Sequence, residues 1–258
     1  MANSNIFPMI SKNKISEIRK LHQKKFRDAE RLFLVEGRKS VEMLLQSSFK
    51  VVAVYATEAA AQDSRTWLGN LAVTVVPYAD MERMSALSTP PELLAVARQA
   101  EPPAEIPDDE PLIVLDRIAD PGNLGTIIRT ADWFNFRHIV CSPDCVEFYN
   151  PKTIQATMGS FAHVHVHVRV IERFLRDRLG RRRVLGAFLQ GEPVGSFEFR
   201  PSDIIVIGNE SNGISPEVEK IVTHRITIPS PARVGSAAES LNAAVATSII
   251  LYQAASKM

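Results

Sequence analysis

Cysteine is nearly absent from this chain: Cys141 and Cys145 are the only two in 258 residues. Their number and spacing exclude a disulfide framework and a four-ligand zinc site. Long apolar runs are missing too. No stretch nears the roughly 18 residues that a membrane-spanning helix needs, and no signal-peptide pattern is seen. These absences lead us to expect a soluble, cytoplasmic protein with no membrane partner. Charge of one sign is also lacking, since 30 Lys and Arg stand against 29 Asp and Glu for a formal net charge of +1. Any attraction to nucleic acid must therefore come from local clusters and not from the field of the whole molecule. A hydrophobic content of 45% is present, and at this length it supports one large core or two smaller ones. Two is the expectation.

Local clusters exist. Residues 12–39 carry ten Lys or Arg against the four acids Glu17, Asp28, Glu30 and Glu36. Within them Ile15, Ile18, Leu21 and His22 recur at helical spacing, which predicts an amphipathic helix with a cationic outer face. Phe33-Leu34-Val35-Glu36-Gly37 then reads as a strand and turn, followed by helices near 39–46, 58–69 and 79–87 and strands near 51–56 and 73–76. This alternation predicts a small α/β domain ending near Ala100. Residues 101–111 hold four prolines and five acids, a linker composition. The expected partition is 1–100, a linker at 101–111, and a second domain over 112–258.

That second domain opens with the apolar strand Leu112-Ile113-Val114-Leu115 and the turn Pro121-Gly122, with Asn123 as a suitable N-cap for the following helix. Asn123 and Arg129 lie six residues apart, so they occupy different faces of that helix. Strands near 138–141, 163–168 and 184–188 alternate with helices, which predicts a mostly parallel sheet. His163, His165 and His167 would share one strand face, but with no Cys or carboxylate at ligand spacing a structural role is favoured and no metal is expected. Arg169, Arg173, Arg176, Arg178, Arg181, Arg182 and Arg183 form a second basic cluster.

The last fifty-six residues are the centre of the functional reading. Ile204–Ile207 ends in Gly208-Asn209-Glu210-Ser211-Asn212-Gly213, and Arg225–Ile228 ends in Pro229. Each reads as a buried strand closed by a turn, and Gly208 and Gly213 permit positive φ and exposed peptide groups. Ser240-Leu241-Asn242 then leads a helix lined with Ala, Ser and Thr. Two bare turns beside a polar-tipped helix describe a ligand cup.

Three signatures stand in order: Asn123-x-Gly125-x-x-x-Arg129-Thr130-Ala131, Gly208-x-Glu210-x-x-Gly213, and Ile228-Pro229 followed by Ser240-Leu241-Asn242. Together they resemble the SpoU (TrmH-like) branch of the SPOUT RNA methyltransferases over residues 112–255. Residues up to about 100 resemble, by pattern and position, the RNA substrate-binding domain of many bacterial members. The resemblance implies a trefoil-knotted, mostly parallel C-terminal sheet beside a smaller N-terminal α/β RNA-binding domain, an exception to the rule that chains avoid knots. It implies a homodimeric enzyme that moves a methyl group from S-adenosylmethionine to a ribose 2′-hydroxyl in structured RNA, with 23S ribosomal RNA the expected substrate.

Carried onto this chain, the implied catalytic set is Arg129, Asn123, Glu210, Ser240 and Asn242. The implied cofactor loops are Gly208, Asn209, Gly213, Ile228, Pro229, Ser240 and Leu241. The basic arm and the arginines at 169–183 would contact phosphates. One departure stands out: ten residues, Ser230–Glu239 with Arg233 among them, separate Pro229 from Ser240, where the family has a shorter loop. Three other readings compete. A dinucleotide oxidoreductase would carry G-x-G-x-x-G after its first strand, which Gly122-Asn123-Leu124-Gly125 does not supply. A transfer-RNA methyltransferase and a non-catalytic RNA-binding protein of the same fold are the alternatives.

Overall fold

The computed structural model describes residues 10–64, 71–230 and 240–258. The chain forms two compact units, one of residues up to Glu101 with Tyr149–Ala162, the other of Pro102–Phe148 with His163–Met258. A cut at a proline-rich linker thus leaves out a return. Residues 149–162 belong with the first unit because their aromatic rings are part of its core, where Phe33 meets Phe49, Tyr149 and Phe161 at centroid distances of 5.4, 4.7 and 6.2 Å.

In the first unit the basic arm is two helices, α1 (Lys12–Lys20) and α2 (Lys24–Glu30), not one. Ile15, Ile18 and Leu21 bury against Val76, Met81 and Met84, which is the apolar stripe the spacing predicts. The break at 21–23 is held by Arg27, which is buried and donates through Nη1 to the Leu21 carbonyl at 2.8 Å. Arg27 is thereby withdrawn from the cationic face, while Lys12, Arg19, Lys20 and Lys25 stay exposed. The sheet joins β1 (Leu32–Glu36), β2 (Val51–Ala56), β3 (Val73–Val75) and β4 (Leu93–Arg98) in the order β1-β4-β2-β3. β4 is absent from the sequence reading. It pairs antiparallel on both sides and all of Leu93–Ala97 is buried, so it shows no alternation to read.

The second unit is a six-stranded, wholly parallel sheet in the order β10-β8-β9-β5-β6-β7. Its strands are β5 (Leu112–Leu115), β6 (His138–Cys141), β7 (His165–Val168), β8 (Val184–Pro193), β9 (Ile204–Ile207) and β10 (His224–Thr227). Ile113, Leu115, Ile205 and Ile207 pack on one face against Pro121–Trp133 and the C-terminal helix Ala243–Ala255. Leu112, Val114, Ile204 and Val206 pack on the other against Ile171–Arg176 and Pro216–Glu219. Covered on both sides, the central strands β5 and β9 read as continuous apolar runs, whereas β7 and the edge strand β10 do not. The chain leaves β5 towards β6 and β7, crosses to β8 on the far side and comes back to β9 beside β5. The direction of winding therefore reverses between β5 and β9, and the crevice beyond their C-terminal ends is where such sheets bind ligands.

Two clusters differ from the sequence reading. His163 precedes β7 and its ring pairs with Asp132 at 3.2 Å, so three imidazoles do not share the strand face. Instead His167 meets His138 of the neighbouring strand, Nε2 to Nδ1 at 3.1 Å. Among the described residues no three His, Cys, Asp or Glu are arranged to hold a metal ion. The arginine cluster also divides. Arg182 is buried and donates to the carbonyls of Ser202, Pro107, Glu110 and Asp203 at 2.7, 3.0, 2.5 and 3.3 Å. Arg183 forks onto Asp203 at 2.8 and 2.7 Å, and Arg178 stacks on Phe174 at 3.8 Å. Arg182 and Arg183 are structural, because they spend their donors within the unit, and Arg178 is held by its ring stack and by Nη1 donating to the Phe174 carbonyl at 3.2 Å.

Burial, reinforced by His138, Arg169 and His165, lowers the His167 pKa to about 4. The unfolded chain, titrating near 6.5, binds a proton that the folded chain refuses, so this contribution to stability is present above about pH 6.5 and lost towards pH 4. Wild-type melting temperature should accordingly fall relative to that of His167→Leu as pH drops from 7 to 4.5; a constant difference would contradict it. Arg182→Ala should cost about 3 kcal/mol in urea unfolding, since a buried guanidinium that joins four carbonyls, three part-buried and one buried, is lost.

Candidate active site

The helix Pro121–Trp133 is capped not by Asn123 but by Asp120, whose Oδ1 accepts from the Asn123 amide at 2.8 Å. Proline at the first helical position loses nothing there, because that N–H has no helical partner. The shift matters for chemistry: with its backbone satisfied by Asp120, the Asn123 side chain is free to face the crevice.

At the other helix start, Asn242 is the cap, its Oδ1 accepting from Ala244 and Val245 at 2.9 and 3.2 Å. An amide whose oxygen faces N–H groups must present its Nδ2 on the other side. Nδ2 donates to Asn123 Oδ1 at 2.9 Å. Asn123 in turn donates through Nδ2 to the Glu210 carboxylate. The helix cap thus sets the orientation of every amide along the chain, and Glu210 closes it as acceptor. Asn209 completes the Glu210 side with a longer contact of 3.4 Å and donates to the Arg117 carbonyl at 2.9 Å. Residues 119 and 87 positions apart are brought into one hydrogen-bonded cluster.

The glycines of the loop serve different ends. Gly213 has φ +64, and nothing lies within 4 Å of the place a Cβ would occupy, so one side of the turn is open. Gly208 is not left-handed; a Cβ there would lie 2.2 Å from the Gly213 carbonyl carbon, so it is required by close approach. Asn209 and Gly213 exchange backbone bonds of 3.0 and 2.8 Å that pinch the turn shut at its base. Ile228 is half-buried against the core, whereas Pro229, Ser240 and Leu241 are exposed. Ser240 makes no hydrogen bond with a described residue and does not join the cluster. Arg129 is exposed and likewise unpartnered among the described residues. Residues 231–239, including Arg233, lie outside the described residues.

Two neighbours were missed by sequence reading. Asp116 is buried, accepting from the Ser215 amide at 2.6 Å and from Arg117 Nε at 3.2 Å. Arg117 has φ +60 and its amide donates to Ser142 Oγ at 2.9 Å. A carboxylate directly after an apolar parallel strand is a signal that was available; the left-handed backbone of an arginine was not. Close by, hydrogen bonding from Cys141 lowers the Cys145 thiol to about 7. A groove of about 890 Å³, lined by Ile106, Asp108, Arg173, Phe174 and Arg181 among others, contains none of these residues.

Comparison with known proteins bears on the family. Residues 110–252 match the model of the SpoU rRNA Methylase family, and residues 12–95 that of the MRM3-like substrate binding domain. The 23S rRNA (guanosine(2553)-2′-O)-methyltransferase RlmP of Bacillus subtilis is 28% identical over 245 residues, covering 93% of this chain and 94% of RlmP. A TrmH-family structure from Porphyromonas gingivalis is 35% identical, covering 96% of this chain and 98% of that one, with TM-score 0.83. An AdoMet-bound rRNA methyltransferase from Sinorhizobium meliloti is 28% identical, with coverage of 96% and 97% and TM-score 0.79. With more than half of its length in the family model and the three signature loops drawn together at the switch point of a parallel sheet, this chain belongs to the SpoU rRNA methylase family.

Proposed function

We propose that this protein transfers the methyl group of S-adenosylmethionine to a ribose 2′-hydroxyl of RNA, with 23S ribosomal RNA as substrate. The observation that carries the reading is the Asn242–Asn123–Glu210–Asn209 cluster, which joins three sequence-distant loops beyond the C-terminal ends of β5 and β9. The residues present fit the methyl donor. The open side of Gly213 leaves room for a ligand against the main chain, and Ile228 and Leu241 supply apolar surface for an adenosine. S-adenosylmethionine supplies an electrophilic methyl carbon when bound.

The remaining work falls to positioning and to charge. Both Glu210 oxygens accept amide N–H groups, which makes Glu210 an anchor of the loop and not a free base. Asn123 lies between the two anchors and sets their separation. Arg129 is the catalytic residue of this reading. Its guanidinium, with five N–H donors in a planar fork, is suited to holding a phosphate and steadying negative charge as it develops on the ribose oxygen. Exposed Lys12, Arg19, Lys20 and Lys25 of the basic arm offer phosphate contacts that orient RNA without choosing sequence.

We further infer a homodimer through the outer faces of Pro121–Trp133 and Ala243–Ala255. Trp133, Tyr252 and Val245 are 83, 57 and 48% exposed there, a costly apolar surface for a lone chain. Arg129 sits one turn before Trp133 on the same outward side, so its reach is towards a second copy.

Arg129→Ala should reduce ribose methylation of ribosomal RNA at least ~100-fold while S-adenosylmethionine affinity, read by calorimetry, stays within about twofold; equal turnover would remove Arg129 from the mechanism. Gly208→Ala should abolish donor binding, because the added carbon overlaps Gly213. Trp133→Glu should convert a dimer into a monomer in sedimentation, and an unchanged mass would exclude that face.

A further inference from the structure

Among the described residues at the crevice, Arg117 stands out for a backbone strained without need. Its φ of +60 lies in the left-handed region, which Gly or Asn adopts at little cost and a long side chain does not. Both of its peptide groups are committed: the amide donates to Ser142 Oγ at 2.9 Å and the carbonyl accepts from Asn209 Nδ2 at 2.9 Å. The backbone contacts would survive with a smaller residue, so the strain is maintained for the side chain.

That side chain is anchored at one end only. Nε donates to buried Asp116 at 3.2 Å, and Nη2 makes a long 3.5 Å contact with the Gly213 carbonyl. Asp116 does not take the fork in bidentate fashion, because its other oxygen holds the Ser215 amide at 2.6 Å. The Nη edge is therefore aimed along the rim of the Gly208–Gly213 turn, with 34% of the side chain exposed. A guanidinium presents paired donors to planar or tetrahedral oxyanions. We infer that Arg117 is an anion-holding residue of this site, its Nη edge taking a carboxylate or phosphate oxygen at the mouth of the cup. The inference rests on the methyltransferase reading, which offers two sources of that chemistry: the amino-acid carboxylate of the donor and a phosphate of the RNA.

Arg117→Asn removes the cation and keeps a residue at ease with positive φ; it also takes the Nε donor from buried Asp116, so its melting temperature is measured beside the wild type's and binding is compared at a temperature where both are folded. Binding of S-adenosylhomocysteine and of 5′-methylthioadenosine, which lacks the carboxylate, would be measured by calorimetry. Binding of bacterial ribosomal RNA would be measured by filter retention over a range of salt. Loss of S-adenosylhomocysteine affinity by about tenfold, with 5′-methylthioadenosine unchanged, identifies the donor carboxylate. Unchanged nucleoside binding, with RNA affinity reduced and its logarithmic salt slope shallower by about one, identifies a phosphate. Equal losses for both nucleosides, or no change in any of the three, would overturn the inference. Wild-type protein that takes up neither nucleoside nor RNA would sink the methyltransferase reading itself, before any variant is compared.

Discussion

The side-chain amide of Asn242 is held from both ends, and the site is built from that restraint. Its oxygen is fixed by two peptide N–H groups of the C-terminal helix, so its nitrogen has one direction left, towards Asn123. Each following amide is oriented by the one before it, ending on Glu210. A cap is ordinarily a local device that satisfies the free donors of a helix start. Here the same bond fixes the donor and acceptor pattern of a cluster drawn from three loops, which is why the helix cannot shift without disturbing all of them.

The sheet supplies the place for that cluster. Parallel strands covered by helices on both faces bury their hydrogen-bonded backbones and leave only the strand ends for chemistry. The reversal of winding between β5 and β9 prevents one connection from covering the gap, so the turns after Leu115 and Ile207 face each other across it. Gly208 and Asp116 stand at those ends, one admitting the neighbouring backbone and the other binding its amide.

Charge is sorted by the fold in a way that composition conceals. Arg27, Arg182 and Arg183 sit within runs of basic residues, yet each donates inward: Arg27 to the helix break, and the other two to the segments entering and leaving the sheet. A buried guanidinium reaches several carbonyls at once through a planar fork of fixed geometry. Near the amino terminus nine of the ten cations at 12–39 remain exposed, but Lys14, Lys24, Arg31 and Arg38 are paired with Glu17, Asp28, Glu101 and Asp63.

The sequence by itself determined the parallel sheet and the apolar stripe of the first helix, because strand runs and helical spacing are local properties of the chain; motif order pointed to Asn123, Glu210 and Asn242, which the structure bonds together, and to Arg129, which it leaves outside that cluster. It also showed that Asn123 and Arg129 leave their helix on different sides, since that follows from 3.6 residues per turn. Tertiary structure alone decided which residue caps each helix, that Ser240 stands apart from the cluster, that His167 pairs with His138 and not with its own strand neighbours, and that 149–162 returns to the first unit. Those outcomes turn on which donor meets which acceptor across distant segments. The left-handed backbone of Arg117 belongs with them, because residue type alone argues against it and its peptide groups meet Ser142 and Asn209 only in the fold.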